Sequence, residues 1–316
     1  MSVSKTGIER VAIVGAGVIG ASWAAHYLAQ GLDVVATDPG PGAEARLRAL
    51  VAEFWPALKR IGLAEGASQD RLTFNHDLAA AVAGAGFVQE NGPERVDIKR
   101  EMIATIDGAV GPDVLIATSS SGILISDIQD AARHPDRVLL GHPFNPPHLI
   151  PLVEVVGGKL TSPQAIQRAL DFYAAVGKKP IHIRREVKGH VANRLQAALW
   201  REAFYLVDQG VATVADIDTA ISHGPGLRWA LLGPFLNLHL SGGDGGIAHV
   251  IDHLGPPIES WWRDLGDISF SDKVRSEAIA GVDEELKPFA LAELNRQRDD
   301  ALITLMALKA SSDQLP

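Results

Sequence analysis

The chain has 316 residues and no cysteine, and its 29 lysine and arginine residues against 38 aspartate and glutamate residues give a formal net charge of −9. The lack of cysteine excludes thiol catalysis, disulfide bonds and cysteine-ligated zinc, and we expect no other metal site. The negative charge argues against general affinity for nucleic acid or anionic membranes. We also expect a cytoplasmic protein without signal peptide or membrane span, because no apolar run approaches the ~18 residues of a span.

The first elements of the chain predict a βαβ unit. Arg10–Val14 form a β-branched run that ends at Gly15, which is typical of a buried strand. Residues 18–30 carry apolar side chains at helical spacing, and residues 32–37 form a second strand-like run that ends at Asp38. Together these segments have the length of one βαβ unit, about 30 residues.

Strand and helix patterns continue to alternate up to about residue 185. We predict strands over residues 71–74, 85–90, 114–118, 137–141 and 149–156, and helices over residues 43–61, 77–83, 93–107 and 125–132. Such alternation indicates an α/β fold with a Rossmann-type, doubly wound and mostly parallel sheet covered by helices on both faces.

Strand patterns almost vanish in the last part of the chain. Helices are predicted over residues 191–207, 215–221, 228–240, 271–285 and 290–309. A chain of this length holds about two domains. We therefore predict a Rossmann-type domain over residues 1–186 and an all-helical C-terminal domain over residues 187–316.

A glycine-rich turn follows the first predicted strand and opens the first predicted helix. Its sequence is G-x-G-x-x-G, with an acidic residue, Asp38, 18 residues after the last glycine. In this context the pattern predicts a dinucleotide site, with the pyrophosphate on the helix N-terminus. The first glycine permits the tight turn, the second lets the backbone approach the pyrophosphate, and the third lets helix and strand pack closely. The expected cofactor contacts are Gly15, Gly17, Val18, Ile19 and Gly20.

Asp38 indicates which dinucleotide binds. A carboxylate at the end of the second strand accepts hydrogen bonds from a ribose diol and repels a 2′-phosphate, so NAD is favoured over NADP. The glycine motif alone does not exclude a flavin.

Three polar residues, Ser121, His142 and Glu154, lie in or after later strands of the predicted sheet. Oxidation of an alcohol by NAD transfers a hydride to the cofactor and needs a base for the proton, most often histidine. Glu154 stands in an apolar strand, where a free charge is costly to bury, so we expect it to pair with His142 and fix its tautomer. Each residue alone has a structural explanation: a loop histidine, a capping serine, or a carboxylate paired with Arg or Lys. Their common position at a nucleotide-binding sheet favours catalysis.

These residues give the chain a specific resemblance to the 3-hydroxyacyl-CoA dehydrogenase superfamily, and the resemblance extends over essentially the whole length of the chain. The matching segments are VAIVGAGVIG, the serines around Ser121, GHPFNPP, PLVEVV and KGHVANR. The resemblance implies that His142 is the catalytic base with Glu154 as its partner. It also implies that Ser121 and Asn193 contact the substrate oxygen.

The resemblance implies contacts and assembly as well. Glu94 and Lys99 match positions that touch the cofactor in the family, and Asn145 matches a residue beside the nicotinamide. The family further implies a helical C-terminal domain that forms a homodimer, with the active site between the domains.

One segment, residues 224–235, is longer than in the acyl-CoA enzymes and contains Arg228 and Trp229. It resembles the L-carnitine dehydrogenase and L-gulonate 3-dehydrogenase (lambda-crystallin) branch, which oxidises small free 3-hydroxy acids. We predict that Arg228 binds the substrate carboxylate; the alternative is an ordinary ion pair on a helix. A quaternary ammonium group needs aromatic faces, for which Trp229, Trp261 and Trp262 are candidates unless they serve packing.

The predicted activity is therefore NAD-dependent oxidation of the 3-hydroxyl of a small L-3-hydroxy acid of the L-carnitine or L-gulonate type. One alternative is an L-3-hydroxyacyl-CoA dehydrogenase whose basic residues after the second strand meet CoA phosphates. These residues are Arg46, Arg48, Lys59 and Arg60. Another is a non-catalytic NAD-binding or crystallin-like structural protein. The presence of Ser121, His142, Glu154 and Asn193 together favours an enzyme.

Overall fold

A computed structural model describes residues 6–313 and 315. Within this part of the chain, eight strands form one sheet in the order β3-β2-β1-β4-β5-β6-β7-β8. The strands are β1 (Arg10–Val14), β2 (Asp33–Thr37), β3 (Leu72–Phe74), β4 (Phe87–Glu90), β5 (Leu115–Thr118), β6 (Val138–Pro143), β7 (Leu152–Gly157) and β8 (Lys179–Ile183). β1 to β6 are all parallel to one another, which confirms the Rossmann-type sheet. β7 runs antiparallel to β6, and β8 is parallel to β7.

Helices cover both faces of this sheet. They are α1 (Val18–Ala29), α2 (Ala43–Ile61), α3 (Leu78–Val82), α4 (Val96–Ala109) and α5 (Pro163–Ala175). Successive residues of a strand point to opposite faces, so Val11 and Ile13 of β1 join the core beneath α1, α2 and α5. Ala12 and Val14 join the core beneath α3 and α4. Two buried layers thus hold the carboxyl ends of the parallel strands in fixed positions.

Two elements of this first part of the chain, α5 and β8, were not predicted. α5 has a regular start, since Ser162 accepts a hydrogen bond from the amide of Ala165 (3.2 Å) and Pro163 occupies the first turn, where proline is tolerated. β8 lies at the sheet edge and is mostly exposed, so it lacks the apolar run by which buried strands are identified.

The helix predicted over residues 125–132 is wrong. The structure has two short 3₁₀ turns there, Ile125–Asp127 and Gln129–Ala131. Ile125 and Ile128 are both buried, and a spacing of three residues places side chains on one side of a 3₁₀ turn. The same apolar spacing also suits an α-helix, which explains the misassignment.

The contacts divide the chain into two compact units, one ending at Arg194 and one beginning at Leu195. The boundary at residues 186 and 187 stays a prediction. The helical character of the second part is confirmed. α6 (Ala192–Asp208) spans the division between the two units. The helices that follow are α7 (Val214–His223), α8 (Pro225–Leu231), α9 (Pro234–Ser241), α10 (Gly246–Asp264), α11 (Asp272–Leu286) and α12 (Leu291–Ala310).

The second unit differs from the prediction in two places. The helix expected over residues 228–240 is two helices, because the chain becomes extended at Leu232 and Pro234 starts α9. α10 was not predicted, since Pro256 and Pro257 lie inside it and proline usually ends a helix. Among the described helices, none combines the length and hydrophobicity that a bilayer crossing requires.

Candidate active site

The centre of the site is a hydrogen-bonded chain of three side chains. Ser121 follows β5, His142 lies in β6, and Glu154 stands directly opposite His142 in the antiparallel β6–β7 pair. Nδ1 of His142 is 2.8 Å from Oε2 of Glu154, and Nε2 is 3.1 Å from Oγ of Ser121. The His142 and Glu154 side chains are buried, whereas Ser121 is exposed. The open end of the chain is therefore the hydroxyl group.

Glu154 is held as a carboxylate by donors on both oxygens. The amides of Val191 and Ala192, at the start of α6, each donate to Oε1 at 2.9 Å, where the positive end of the helix dipole favours negative charge. Burial alone would raise the pKa of Glu154, but the hydrogen bonds from His142 and from these two amides outweigh it, and the pKa lies below its usual value. The side chain is ionised at neutral pH.

An ionised Glu154 determines the tautomer of His142. A carboxylate only accepts hydrogen bonds, so Nδ1 of His142 carries the proton and Nε2 presents its lone pair. Nε2 faces Ser121 at the exposed end of the site. The arrangement can accept a proton from an alcohol placed beside Ser121 and stabilise the resulting imidazolium with a buried negative charge.

Glu94 holds the turn that carries Ser121 through hydrogen bonds. Oε1 of Glu94 accepts hydrogen bonds from Oγ of Ser120 (2.6 Å) and from the amides of Gly122 (2.8 Å) and Ile123 (3.2 Å). Burial opposes ionisation of Glu94, but these bonds prevail and lower its pKa. Glu94 therefore lies beside the site and orders the loop between β5 and the first 3₁₀ turn.

The side chain of Lys99 is buried, unlike that of a residue that contacts a cofactor at the protein surface. Its Nζ lies 2.8 Å from Oε2 of Glu90 and 3.2 Å from the carbonyl of Gly92, and the side chain is buried. The Lys99–Glu90 pair ties α4 to the end of β4. Asn145 is exposed two residues after the end of β6, with a cis peptide bond to Pro146.

The glycine-rich turn connects β1 to α1 as predicted. Gly15 has a φ of +89°, and a Cβ there would lie 2.7 Å from the carbonyl oxygen of Asn91. A Cβ on Gly20 would lie 1.9 Å from the carbonyl oxygen of Gly15, so only glycine lets α1 pack this closely. At Gly17, by contrast, the space is open and α1 begins without a side-chain cap. The first amides of α1 are thus available to an anionic group.

Asp38 couples the second strand to this turn. Oδ2 accepts a hydrogen bond from the amide of Ala16 (2.8 Å), and Oδ1 accepts one from the amide of Gly40 (2.7 Å). Each carboxylate oxygen has a second lone pair, which leaves acceptor capacity for a ribose diol. The open glycine, the uncapped helix and this carboxylate fit a dinucleotide such as NAD.

The remaining predicted residues are Asn193, Arg228 and Trp229. Asn193 is half-buried in the first turn of α6, next to Ala192. Arg228 and Trp229 are exposed in α8 of the second unit. The sequence did not reveal the two amides that hold Glu154, nor His190, whose buried ring lies 5.0 Å from that of His142. A signal was present in Gly189-His190, because a glycine beside a polar residue before a helix indicates a tight turn.

Comparisons with known proteins identify the family of this chain. Residues 10–187 match the family described as 3-hydroxyacyl-CoA dehydrogenase, NAD binding domain, and residues 189–270 match the corresponding C-terminal domain. An L-carnitine dehydrogenase of Streptomyces griseus is 52% identical over 95% of this chain and 89% of that protein. One of Pseudomonas putida is 48% identical over 97% and 96%.

Solved structures give the same result. The crystal structure of 5-formyl-3-hydroxy-2-methylpyridine 4-carboxylic acid 5-dehydrogenase, described as an NAD⁺-dependent dismutase, has a TM-score of 0.81 at 30% identity and covers 97% of this chain and 100% of that one. The (S)-3-hydroxybutyryl-CoA dehydrogenase of Ralstonia eutropha has a TM-score of 0.63 at 27% identity, over 87% and 93%. The chain belongs to the 3-hydroxyacyl-CoA dehydrogenase family and is an NAD-dependent oxidoreductase that acts on CH–OH groups.

Proposed function

We propose that this enzyme oxidises the 3-hydroxyl group of L-carnitine, or of a closely similar small L-3-hydroxy acid, to the 3-keto acid. The observation that carries the proposal is the hydrogen-bonded chain from Ser121 through His142 to Glu154. The choice of L-carnitine is supported by the relatives that bear this name at 48–52% identity over nearly the whole chain.

In the proposed mechanism, the Ser121 hydroxyl and the Asn193 amide orient the substrate hydroxyl. Nε2 of His142 takes the proton from the substrate oxygen, and Glu154 stabilises the imidazolium that forms. When bound, NAD supplies the hydride acceptor for the hydrogen on carbon 3. The C–H bond electrons thus leave as hydride, and the hydroxyl proton leaves through histidine.

The cofactor contacts proposed for NAD divide into two groups. The turn from Gly15 to Gly20, with Gly17, Val18 and Ile19, receives the pyrophosphate, and Asp38 receives the adenine ribose. Glu94, Lys99 and Asn145 border the nicotinamide end. For Lys99, the burial of its Nζ against Glu90 and Gly92 favours an indirect role through the Gly92 backbone.

The substrate contacts proposed in the second unit are Arg228 and Trp229. The guanidinium of Arg228 offers two parallel donors that match a carboxylate. The indole of Trp229 offers a face to a trimethylammonium group. We expect Arg228→Met to raise the KM for L-carnitine and to leave the KM for NAD unchanged; an unchanged substrate KM would remove Arg228 from the site.

The test is NADH formation by the purified protein with NAD and four substrates in parallel: L-carnitine, L-gulonate, L-3-hydroxybutyrate and L-3-hydroxybutyryl-CoA. We expect L-carnitine to give the highest kcat/KM. Preference for L-gulonate or for the thioester would refute the substrate assignment and leave the His142–Glu154 mechanism open. The thioester alternative has little support from α2, where Arg48 pairs with Glu44 and Arg46 donates to the carbonyl of Pro41.

His142→Ala separates an enzyme from a protein that only binds NAD. We expect turnover to be lost while NAD affinity stays within about twofold of the parent, because the base contacts the proton and not the pyrophosphate. Absence of turnover with every 3-hydroxy acid would favour the non-catalytic alternative.

We also propose a homodimer in the cytoplasm. Among the described hydrophobic side chains from Leu195 onward, the buried ones are Val250, Val274 and Ile303, whereas Phe235 and Phe270 are 74% and 77% exposed. Such a large exposed apolar surface supports a subunit interface. Light scattering should give about twice the chain mass of 33.6 kDa, and cell fractionation tests the location.

A further inference from the structure

His190 is a buried histidine for which the proposed mechanism has no use. It is 2% exposed and stands just before α6, and it has a φ of +52°. Among the described residues other than glycine, it is the one with a positive φ. Because a left-handed backbone is costly for a residue with a Cβ, neighbouring contacts must hold it.

Two contacts hold His190 in this conformation. Its amide donates to the carbonyl of Val187 at 3.0 Å. Its Nε2 lies 3.2 Å from the carbonyl oxygen of Ser120. A carbonyl only accepts hydrogen bonds, so Nε2 carries a proton. The side chain thus binds the backbone immediately before Ser121.

The left-handed turn at His190 also directs the next two backbone amides. The two residues that follow His190 direct their amides to Oε1 of Glu154, at 2.9 Å each. The ring itself lies against His142, with centroids 5.0 Å apart and planes inclined by 51°. The turn at His190 therefore contacts the backbone before Ser121, the ring of His142 and the carboxylate of Glu154.

Burial favours the neutral form of the His190 ring. Burial lowers the pKa of His190 and a charge on His142 lowers it further, while the Ser120 carbonyl, Glu154 and Glu94 act in the opposite direction. The net pKa lies below the usual value. A neutral ring with its proton on Nε2 is the form that bonds Ser120 without placing a second positive charge beside His142.

We infer that His190 is a positioning residue that, through its hydrogen bond to the Ser120 carbonyl, keeps the Ser121 hydroxyl on Nε2 of His142. The inference rests on the proposed function, since it assigns His190 a role in the same proton transfer. It predicts that the N–H donor matters, and not the size or charge of the ring.

Three variants separate the donor from the ring. His190→Gln places an amide N–H near the position of Nε2 and does not titrate. His190→Asn accepts a left-handed backbone readily, but its shorter amide does not reach Ser120. His190→Phe keeps the ring and loses the donor. We expect kcat to fall about tenfold in the Asn and Phe variants, the worth of one hydrogen bond, and to stay within about threefold of the parent in the Gln variant. The KM for NAD should be unchanged in all three.

The route through Ser121 is tested by combining variants. In a Ser121→Ala background, His190→Asn should lower kcat by less than about twofold, because the group it positions is already absent. A further tenfold loss there, parental kcat in His190→Asn, or equal damage by Gln and Asn would overturn the inference. His142→Ala, measured alongside, distinguishes the failures: if it retains turnover, the proposed mechanism fails, whatever the His190 variants do.

Discussion

The substitution Glu154→Gln tests the tautomer of His142 directly. The glutamine oxygen can accept both α6 amides, which now lie 2.9 Å from Oε1. Its NH₂ group then faces Nδ1 of His142, 2.8 Å away in the parent. Because an NH₂ group only donates, Nδ1 must become the acceptor and the imidazole proton moves to Nε2. The substituted enzyme therefore presents a donor where the parent presents a base.

The magnitude follows from two losses. Restoring the reactive tautomer leaves two donors facing each other in a buried site, which costs about 2 kcal/mol. Loss of the carboxylate removes a charge-assisted hydrogen bond to the imidazolium, about 2 kcal/mol more. Together these costs correspond to a decrease in kcat of about 10³-fold. The free energy of unfolding should change by less than about 2 kcal/mol, since the α6 amides remain bonded.

The assay combines kinetics with spectroscopy. NADH formation at saturating L-carnitine gives kcat, NAD titration gives cofactor affinity, and ¹⁵N chemical shifts of His142 report which ring nitrogen is protonated. Glu186→Gln is the matched control, because Glu186 is a half-buried carboxylate that accepts from the amide of Ser126 at 2.9 Å, and its kcat should stay near the parent value. A Glu154→Gln enzyme with kcat within tenfold of the parent, or with Nδ1 still protonated, would refute the reasoning.

Three further predictions concern the cofactor turn and the buried polar groups. Gly17→Ala should lower NAD affinity at least tenfold and leave the melting temperature unchanged, because its Cβ meets open space. Gly20→Ala should lower both the NAD affinity and the melting temperature, because its Cβ meets a backbone oxygen at 1.9 Å. Equal melting temperatures of the two variants would contradict this reasoning. Asp38→Ala should raise the KM for NAD about tenfold and permit use of NADP. The control is Asp33→Asn, because Asp33 is a half-buried residue of β2 that pairs with Arg71. Continued rejection of NADP would argue against ribose recognition by Asp38. Burial lowers the pKa of Lys178 to about 7, so between pH 7 and about 10.5 the unfolded state binds more protons and the parent gains stability as pH rises. Urea unfolding at pH 7.5 and 9.5 should show a gain of about 2 kcal/mol over Lys178→Met, and parallel pH dependences would contradict the shift.

The sequence predicted the parts of the fold that depend on local patterns. The strand–glycine turn–helix signal of β1 and α1 has the predicted form, because a Cβ on Gly15 or on Gly20 would meet a backbone oxygen. The pairing of His142 with Glu154 could also be anticipated, since a carboxylate inside an apolar strand needs a partner. The structure places the two side chains together, and their catalytic roles stay predictions.

The support of the site could not be predicted in the same way. Glu154 is held by backbone amides, which every residue except proline possesses, so no residue type marks them. His190 gains its position from a backbone conformation and from a carbonyl 70 positions earlier in the chain. Lys99 was expected at the cofactor by resemblance, and its burial against Glu90 is visible only once β4 and α4 are packed together.

The antiparallel direction of β7 places Glu154 opposite His142. The short connection between β6 and β7 requires this direction. Only eight residues separate β6 from β7, too few for the crossover of a dozen or more residues that a parallel strand needs. In an antiparallel pair, opposite residues share a face, and a shift of one residue would turn Glu154 to the other side of the sheet. The connection is fixed at two points: Nζ of Lys178 donates to the carbonyls of Pro147 and Ile150, and His148 bonds Oγ of Ser22 through its amide and Nδ1, at 2.8 Å each. These buried contacts therefore fix the register that the base requires.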